Sequence, residues 1–120
     1  MSKRKFYALC QYVDKTDGSL KCGYIFKEGQ NVPNEYGIDL AMYKSKEKDG
    51  NGKDIVVWHV VDVESGLGLA AGSTKKKASE AVIMVLLTTP TDKIELARRN
   101  VREQYGDMPG KKIIFLHDRH

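Results

Sequence analysis

One segment of this chain constrains the fold more than any other: the apolar run from Asp54 to Val63. It contains six aliphatic residues and Trp58, and these side chains fall on both faces of an extended backbone, because successive residues of a strand point in opposite directions. A strand that is apolar on both faces is covered on both sides, or nearly so, in the folded protein. The run therefore predicts a central strand.

Near the N-terminus, two segments with alternating apolar and polar residues flank a turn. Residues 5–13 and 20–26 alternate, and Asp14–Gly18 between them has the composition of a hairpin turn with a glycine suited to positive φ. If the numbers of paired residues across the hairpin add up to an even number, Cys10 and Cys22 share one face. They then lie close together as buried thiols rather than a disulfide. The face predicted to enter the core comprises Phe6, Ala8, Cys10, Tyr12, Leu20, Cys22, Tyr24 and Phe26.

Three shorter strands are predicted from the same period-two pattern. They are Ile38–Tyr43, Leu67–Ala71 and a last, buried strand at Ile113–Leu116. Loops are expected at residues 27–36, which contain glycine and proline, and at residues 44–48, a lysine-rich cluster that runs into a turn.

Two helices are predicted in succession. The first, Thr74–Leu87, carries apolar residues at i, i+3, i+4, i+7 and i+8, and we expect Thr74 or the serine before it to cap its start. The second has Thr89 as its expected N-cap and Pro90 at its first position, and it ends at Gly106. The stripes expected to face the sheet are Ala78, Ala81, Val82 and Val85 in the first helix, and Ile94, Ala97 and Val101 in the second.

These elements predict one α+β domain over residues 1–120, with a mostly antiparallel sheet of five or six strands and the two consecutive helices packed on one face. An apolar fraction of 41% and a charged fraction of 30% are those of a globular protein. No apolar run approaches the ~20 residues that cross a bilayer, and the charged N-terminus lacks the apolar stretch of a signal peptide. We therefore expect a cytoplasmic protein that does not enter a membrane.

The charged residues favour an anionic partner. The formal net charge is +4, and the basic residues form clusters that include Lys3–Lys5 and Lys75–Lys77. Lys75–Lys77 fills the first turn of the predicted helix, where the positive end of the helix dipole disfavours cations by roughly 0.3 kcal/mol or more each. Two explanations stay open. Either the lysines, the free N–H groups and the dipole together bind a phosphate, or the lysines are a solvated surface.

In residues 54–87, two predicted strands lead into a predicted helix that opens with Thr74-Lys75-Lys76-Lys77-Ala78. This stretch resembles the second half of double-stranded-RNA-binding domains, whose last helix opens with a Ser/Thr-Lys-Lys-x-Ala pattern. The resemblance implies that Lys75 and Lys76 contact phosphates across an RNA groove and recognise shape more than sequence. The family's N-terminal helix is replaced here by a hairpin, so one of its RNA contacts has no counterpart. The stretch is also similar to the hairpin-plus-helix of HicB-like antitoxins, which bind a toxin protein.

Catalytic, cofactor and metal chemistry find little support in the sequence. The glycines at 66–72 do not open a helix as a dinucleotide fingerprint requires, and there is no nucleophile elbow or apolar pair of carboxylates. His59 is expected on a sheet face, and His117 and His120 on a chain terminus. We therefore expect no enzyme, no cofactor and no metal, although a deep polar pocket that holds His59 would favour an enzyme.

The function expected from the sequence is that of a small non-enzymatic module that binds double-stranded RNA or another nucleic acid through a lysine-rich helix N-terminus. The alternative is a small protein-interaction, antitoxin-like or inhibitor domain from a mobile element. A basic surface with aromatic residues next to Lys75 would favour the first, and a flat apolar patch or an unprotected edge strand the second. The residues expected to bind nucleic acid are Lys75, Lys76, Lys77, Thr74, Lys3, Arg4 and Lys5.

Overall fold

The computed structural model describes residues 3–106 of the chain, and in this range five strands precede two helices. The strands are β1 (Lys3–Val13), β2 (Leu20–Asn31), β3 (Leu40–Lys48), β4 (Asp54–Asp62) and β5 (Gly68–Gly72), and the helices are α1 (Lys75–Thr88) and α2 (Thr91–Tyr105). The strands form one antiparallel sheet in the order β1-β2-β3-β4-β5. The predicted α+β class with an antiparallel sheet is thus confirmed. The strand predicted at Ile113–Leu116 and the histidines at 117 and 120 lie outside the described residues.

The sheet has two different faces, and cross-strand pairs show which residues share each one. Met42 pairs with Val60 on the face that carries the helices, where both cluster with Val82 of α1 and Ile94 of α2. We call this the helix face.

Neither α1 nor α2, the helices of residues 3–106, has the length and hydrophobicity of a membrane-spanning segment.

The opposite face, which we call the hairpin face, is covered by the β1–β2 hairpin. Phe6 of β1 packs with Tyr43 of β3 and Val61 of β4, although β1 and β3 are not neighbours in the sheet. The hairpin therefore curls across this face, and the Leu9 amide donates to the Gly66 carbonyl at 2.8 Å beyond the end of β4. Two apolar clusters, one on each face, hold the sheet between them.

β4 is internal to the sheet, as its apolar pattern predicts. Val60 and Val61 in its second half are buried on opposite faces. Ile55 and Val56 at its start are exposed, because β5 pairs only with residues 58–61 and leaves the first half of β4 at an open edge. Coverage on both sides is therefore confirmed only for the second half of the strand.

The hairpin turn is confirmed, but its register is not the one that would put both cysteines on one face. Gly18 has a φ of 75° and its amide donates to the Asp14 carbonyl at 2.7 Å. Val13 pairs with Leu20 across this turn, and Cys10 pairs with Gly23 rather than with Cys22. Cys10 and Cys22 therefore lie on opposite faces. Cys10 is half-buried on the hairpin face and Cys22 is exposed, and both are free thiols. Tyr12, Leu20 and Phe26 are exposed rather than part of the core.

Two segments predicted as loops belong to strands. Residues 27–31 extend β2, and residues 44–48 form the second half of β3, paired with the first half of β4. The two errors have different physical causes. In the first segment Pro33 lies beyond the end of β2, and Gly29 lies inside the strand where it approaches β3 closely. Residues 44–48 carry charges because they lie on an exposed part of the sheet, and charge alone does not exclude a strand. The turn between β3 and β4 is built around Asp49, whose carboxylate accepts from the amides of Asn51 and Lys53.

The helix starts follow the predicted signals with one shift. Thr74 is the N-cap of α1, and its hydroxyl accepts from the Lys77 amide at 3.1 Å. Thr89, predicted to cap α2, is instead the extended C-cap of α1, and Pro90 is the N-cap of α2 with a ψ of 149°. The Pro90 carbonyl accepts from the amide of Lys93, so the proline lies just outside the helix rather than at its first position.

A buried ion pair ties α2 to the end of β4. The Arg98 guanidinium donates two hydrogen bonds to the Asp62 carboxylate, with Nε 2.8 Å from Oδ2 and Nη2 2.9 Å from Oδ1. Asp62 is 1% exposed and also accepts from the Ser65 hydroxyl at 2.7 Å. The pair fixes the position of α2 on the helix face, because each partner would otherwise be a charge removed from water.

Candidate nucleic-acid interface

A concave basic surface lies on the helix face, beside the start of α1. Lys3 of β1, Lys44 of β3, Trp58 of β4 and Lys75 of α1 line it. The concavity has a volume of about 490 Å³, and Glu28, Gly29 and Gln30 of β2 complete its lining. We call this surface, defined by Lys3, Lys44, Trp58 and Lys75, the lysine groove.

The register of the sheet explains why these residues meet. Lys44 lies directly opposite Trp58 on the neighbouring strand, and Gly72 lies opposite Trp58 on its other side. A Cβ at position 72 would lie 2.6 Å from the Ala78 amide nitrogen, so only glycine lets the first turn of α1 approach this closely. That approach brings Lys75 over Trp58.

A second close approach brings the N-terminal strand to the groove. A Cβ at Gly29 would lie 1.9 Å from the carbonyl oxygen of Met42, so β2 crosses β3 almost in backbone contact. Just beyond this crossing Gln30 pairs with Met42, and Lys3 pairs with Gln30. The chain thereby places Lys3 on the same face as Lys44.

The Trp58 ring organises two of the ammonium groups. Lys75 Nζ lies 5.1 Å and Lys44 Nζ 5.8 Å from the ring centroid, within the range of cation–π attraction. Within residues 3–106, none of the three groove lysines forms an ion pair, and the nearest acid in the lining is Glu28. The groove is therefore a cluster of positive charge with an aromatic floor.

The structure brings together only some of the predicted site residues. Lys75 and Lys3 line the groove, and Lys5 faces the same side two residues along β1, opposite Glu28. Lys76 and Lys77 are exposed on the first turn of α1 without lining the groove. Thr74 does not line the groove, and its hydroxyl caps α1 by accepting a hydrogen bond from the Lys77 amide.

Arg4 is directed away from the lysine groove. Its guanidinium forks onto both carboxylate oxygens of Asp39, at 2.5 and 2.8 Å, and also donates to Asn31. The hydrogen bonds from Arg4 hold the pKa of Asp39 below its usual range. An arginine held in this way by a carboxylate of its own chain contributes less to an anion site than a free lysine.

Two groove residues, Lys44 and Trp58, were not among the predicted site residues. The sequence pattern predicts a loop at Lys44 and a core position for Trp58, so it does not predict their pairing across β3 and β4. One signal for the pairing was present: two extended segments, 44–48 and 54–58, flank a turn sequence rich in Asp, Asn and Gly. That pattern indicates a hairpin whose register places Lys44 opposite Trp58.

Comparison of the chain with protein-family models, with curated proteins and with solved structures finds no match, so its function has to be argued from its own residues.

Proposed function

We propose that this protein is a small non-enzymatic module that binds nucleic acid, and that the phosphates of the nucleic acid contact the lysine groove. The observation that carries the proposal is a concavity lined by three lysines, two of them over the Trp58 ring, that have no ion-pair partner among residues 3–106. Neutralisation of phosphates by lysine and arginine supplies most of the affinity of sequence-independent binding. A tryptophan on the floor of such a groove adds a surface on which a base or a sugar packs.

The position of Lys75 joins two sequence signals in one place. It belongs to the first turn of α1, where free backbone N–H groups and the helix dipole favour an anion. It also lies over Trp58, next to Lys44. No acidic residue occupies the first turn of α1, so the positive end of this helix is left without a countercharge from its own sequence.

Duplex RNA is the first ligand to test. β4, β5 and α1 follow one another as strand, strand and helix, which is the order implied by the resemblance to double-stranded-RNA-binding domains. Under that resemblance Lys75 and Lys76 contact phosphates, and in the folded chain Lys3 and Lys44 extend the basic surface beyond the helix start. A wider basic surface suits recognition of backbone shape rather than of base sequence.

The experiment is a fluorescence-anisotropy titration with an RNA duplex, the matching DNA duplex and a single strand, repeated at several salt concentrations. We compare the natural protein with a Lys3→Ala/Lys44→Ala/Lys75→Ala variant. The plot of log K against log salt should lose roughly 0.9 units of slope for each lysine that contacts a duplex DNA phosphate. Tighter binding of duplex RNA than of the other two would support the family resemblance.

The control variant is Lys15→Ala/Lys53→Ala/Lys93→Ala, which removes the same charge from exposed lysines outside the groove. It should keep most of the salt slope, because distant charges act only through the overall field. An equal loss in both variants would contradict a defined site. If no nucleic acid binds at low salt, the proposal is wrong, and the protein-partner alternative should be tested by pull-down.

A further inference from the structure

A second concavity lies on the hairpin face, between the curled hairpin and the strands β3 and β4. Its volume is about 510 Å³, which is within the size range of small-molecule sites. It is separate from the lysine groove, because alternate residues of β3 point to opposite faces: Lys44 reaches the groove, and Tyr43 and Ser45 line this pocket. We call it the hairpin-face pocket, and its lining includes Leu9, Cys10, Lys27, Tyr43, Glu47 and His59.

The pocket presents a cation, the ammonium group of Lys27. Lys27 is half-buried, and its ammonium group lies 5.0 Å from the centroid of the Tyr43 ring. Within residues 3–106 no carboxylate pairs with Lys27, or with Lys46, which also lines the pocket. The surroundings of a concavity screen the attraction between an ammonium group and an anion less than bulk water does, so Lys27 is placed to bind an anion.

The acid of the pocket, in contrast, is engaged. Glu47 Oε2 lies 2.6 Å from His59 Nε2 and also accepts a hydrogen bond from the Ser45 hydroxyl. These two contacts, the one from Ser45 foremost, hold the pKa of Glu47 below its usual value, so the carboxylate stays ionised and occupied. The His59 ring in turn stacks on Tyr43, with centroids 5.1 Å apart.

The same contacts argue against catalysis by these groups. The Ser45 hydroxyl donates to Glu47 rather than to His59. The Cys10 thiol lies 3.3 Å from the Tyr43 hydroxyl, and burial raises the pKa of that hydroxyl. Neither nucleophile is thus hydrogen-bonded to the imidazole, as an activated serine or cysteine is. The pocket holds His59, as expected of an enzyme, but its geometry is that of a binding site.

We propose that the hairpin-face pocket binds a small organic anion, a carboxylate or a phosphate ester with a compact apolar body. The anionic group contacts Lys27, and the apolar body lies against Leu9 and Val61 on the pocket wall. This site does not depend on the lysine groove, since it lies on the other face of the sheet.

The test is an NMR titration of the whole protein with four probes: benzoate, phenyl phosphate, neutral benzamide and cationic benzylamine. The readout is the His59 ring signal, assigned with a His59→Gln variant. We expect saturable shifts with benzoate or phenyl phosphate, with a Kd of about 1 mM as is usual for fragments of this size, and much weaker ones with the other two probes. Comparison of the two anions shows which headgroup the pocket prefers.

Lys27→Met should weaken the binding of the anions by about tenfold or more, the effect of losing a charged hydrogen-bond partner. Methionine keeps an unbranched stem next to Tyr43. The matched control, Lys15→Met, removes the same charge from the exposed hairpin turn and should leave the titration unchanged. Absence of saturation, benzamide binding as tightly as benzoate, or equal affinities in the two variants would each overturn the proposal.

A second variant should change the affinity for the anions in the opposite direction. Glu47→Gln retains groups that can hydrogen-bond to Ser45 and His59 but removes a negative charge from the pocket lining, so the anions should bind several-fold more tightly. Unchanged or weaker binding in folded Glu47→Gln protein would contradict an anion site. Because this variant is independent of the packing of Lys27, it decides the question even if Lys27→Met does not fold.

Discussion

Replacement of Arg98 by methionine is expected to lower the free energy of unfolding by roughly 3–5 kcal/mol, the cost of leaving one partner of a buried ion pair uncompensated. Asp62 is 1% exposed in the natural protein, and in the variant it would keep the Ser65 hydroxyl but lose the cation beside it. Because folded domains are stable by only about 5–15 kcal/mol, this change removes a large part of the total. Urea unfolding followed by circular dichroism measures it.

The neighbouring residue provides the control. Arg99 is exposed on the same helix and makes no ion pair within residues 3–106, so Arg99→Met should change the free energy of unfolding by about 0.5 kcal/mol or less. A double variant, Asp62→Leu/Arg98→Met, should recover part of the lost free energy of unfolding, because it also removes the unpaired buried charge of Asp62. Equal stability of the Arg98 and Arg99 variants would show that the pair does not hold α2 in place.

The second large effect is expected for Gly29→Ala, which should destabilise the domain by roughly 3 kcal/mol or more, since the added methyl group meets backbone that has to move. Its Cβ would lie 1.9 Å from the Met42 carbonyl oxygen and 2.9 Å from the carbonyl carbon. β2 and β3 are joined by two residue pairs only, Gln30 with Met42 and Asn31 with Ala41. A shift at this crossing therefore loosens the whole hairpin and moves Lys3 out of the groove.

Gly50→Ala is the matched control for this substitution. Position 50 has no neighbour within 4 Å of the added Cβ and no positive φ. The substitution should therefore change the free energy of unfolding by about 0.5 kcal/mol or less. Thermal unfolding of both variants measures the difference. If the two alanine variants unfolded at the same temperature, β2 and β3 would not cross as closely as described.

The parts of the fold that were predictable from sequence are those set by local pattern. The second half of β4, the α1 stripe through Val82 and the Asp14–Gly18 turn follow from periodicity and from turn and cap chemistry, which act over a few residues. The hairpin register was not predictable in the same way. It depends on how many residues the turn contains, and a change of one residue moves Cys22 to the opposite face.

The candidate site was predictable only in part for a related reason. A run of lysines at a helix start is visible in the sequence, and it predicts Lys75 as a site residue. Trp58 and Lys44 meet through strand pairing, and Arg4 is neutralised by Asp39, 35 residues away in sequence. Such long-range pairings decide which charges are free, and no local pattern shows them.

The most direct test of the lysine groove is the fluorescence of Trp58, the single tryptophan of the chain, during titration with the nucleic acid that binds best. We expect a saturable change in its emission that weakens with salt, disappears in the Lys3→Ala/Lys44→Ala/Lys75→Ala variant and persists in the Lys15→Ala/Lys53→Ala/Lys93→Ala variant. Binding that saturates by anisotropy while Trp58 emission stays constant would contradict the groove as the site.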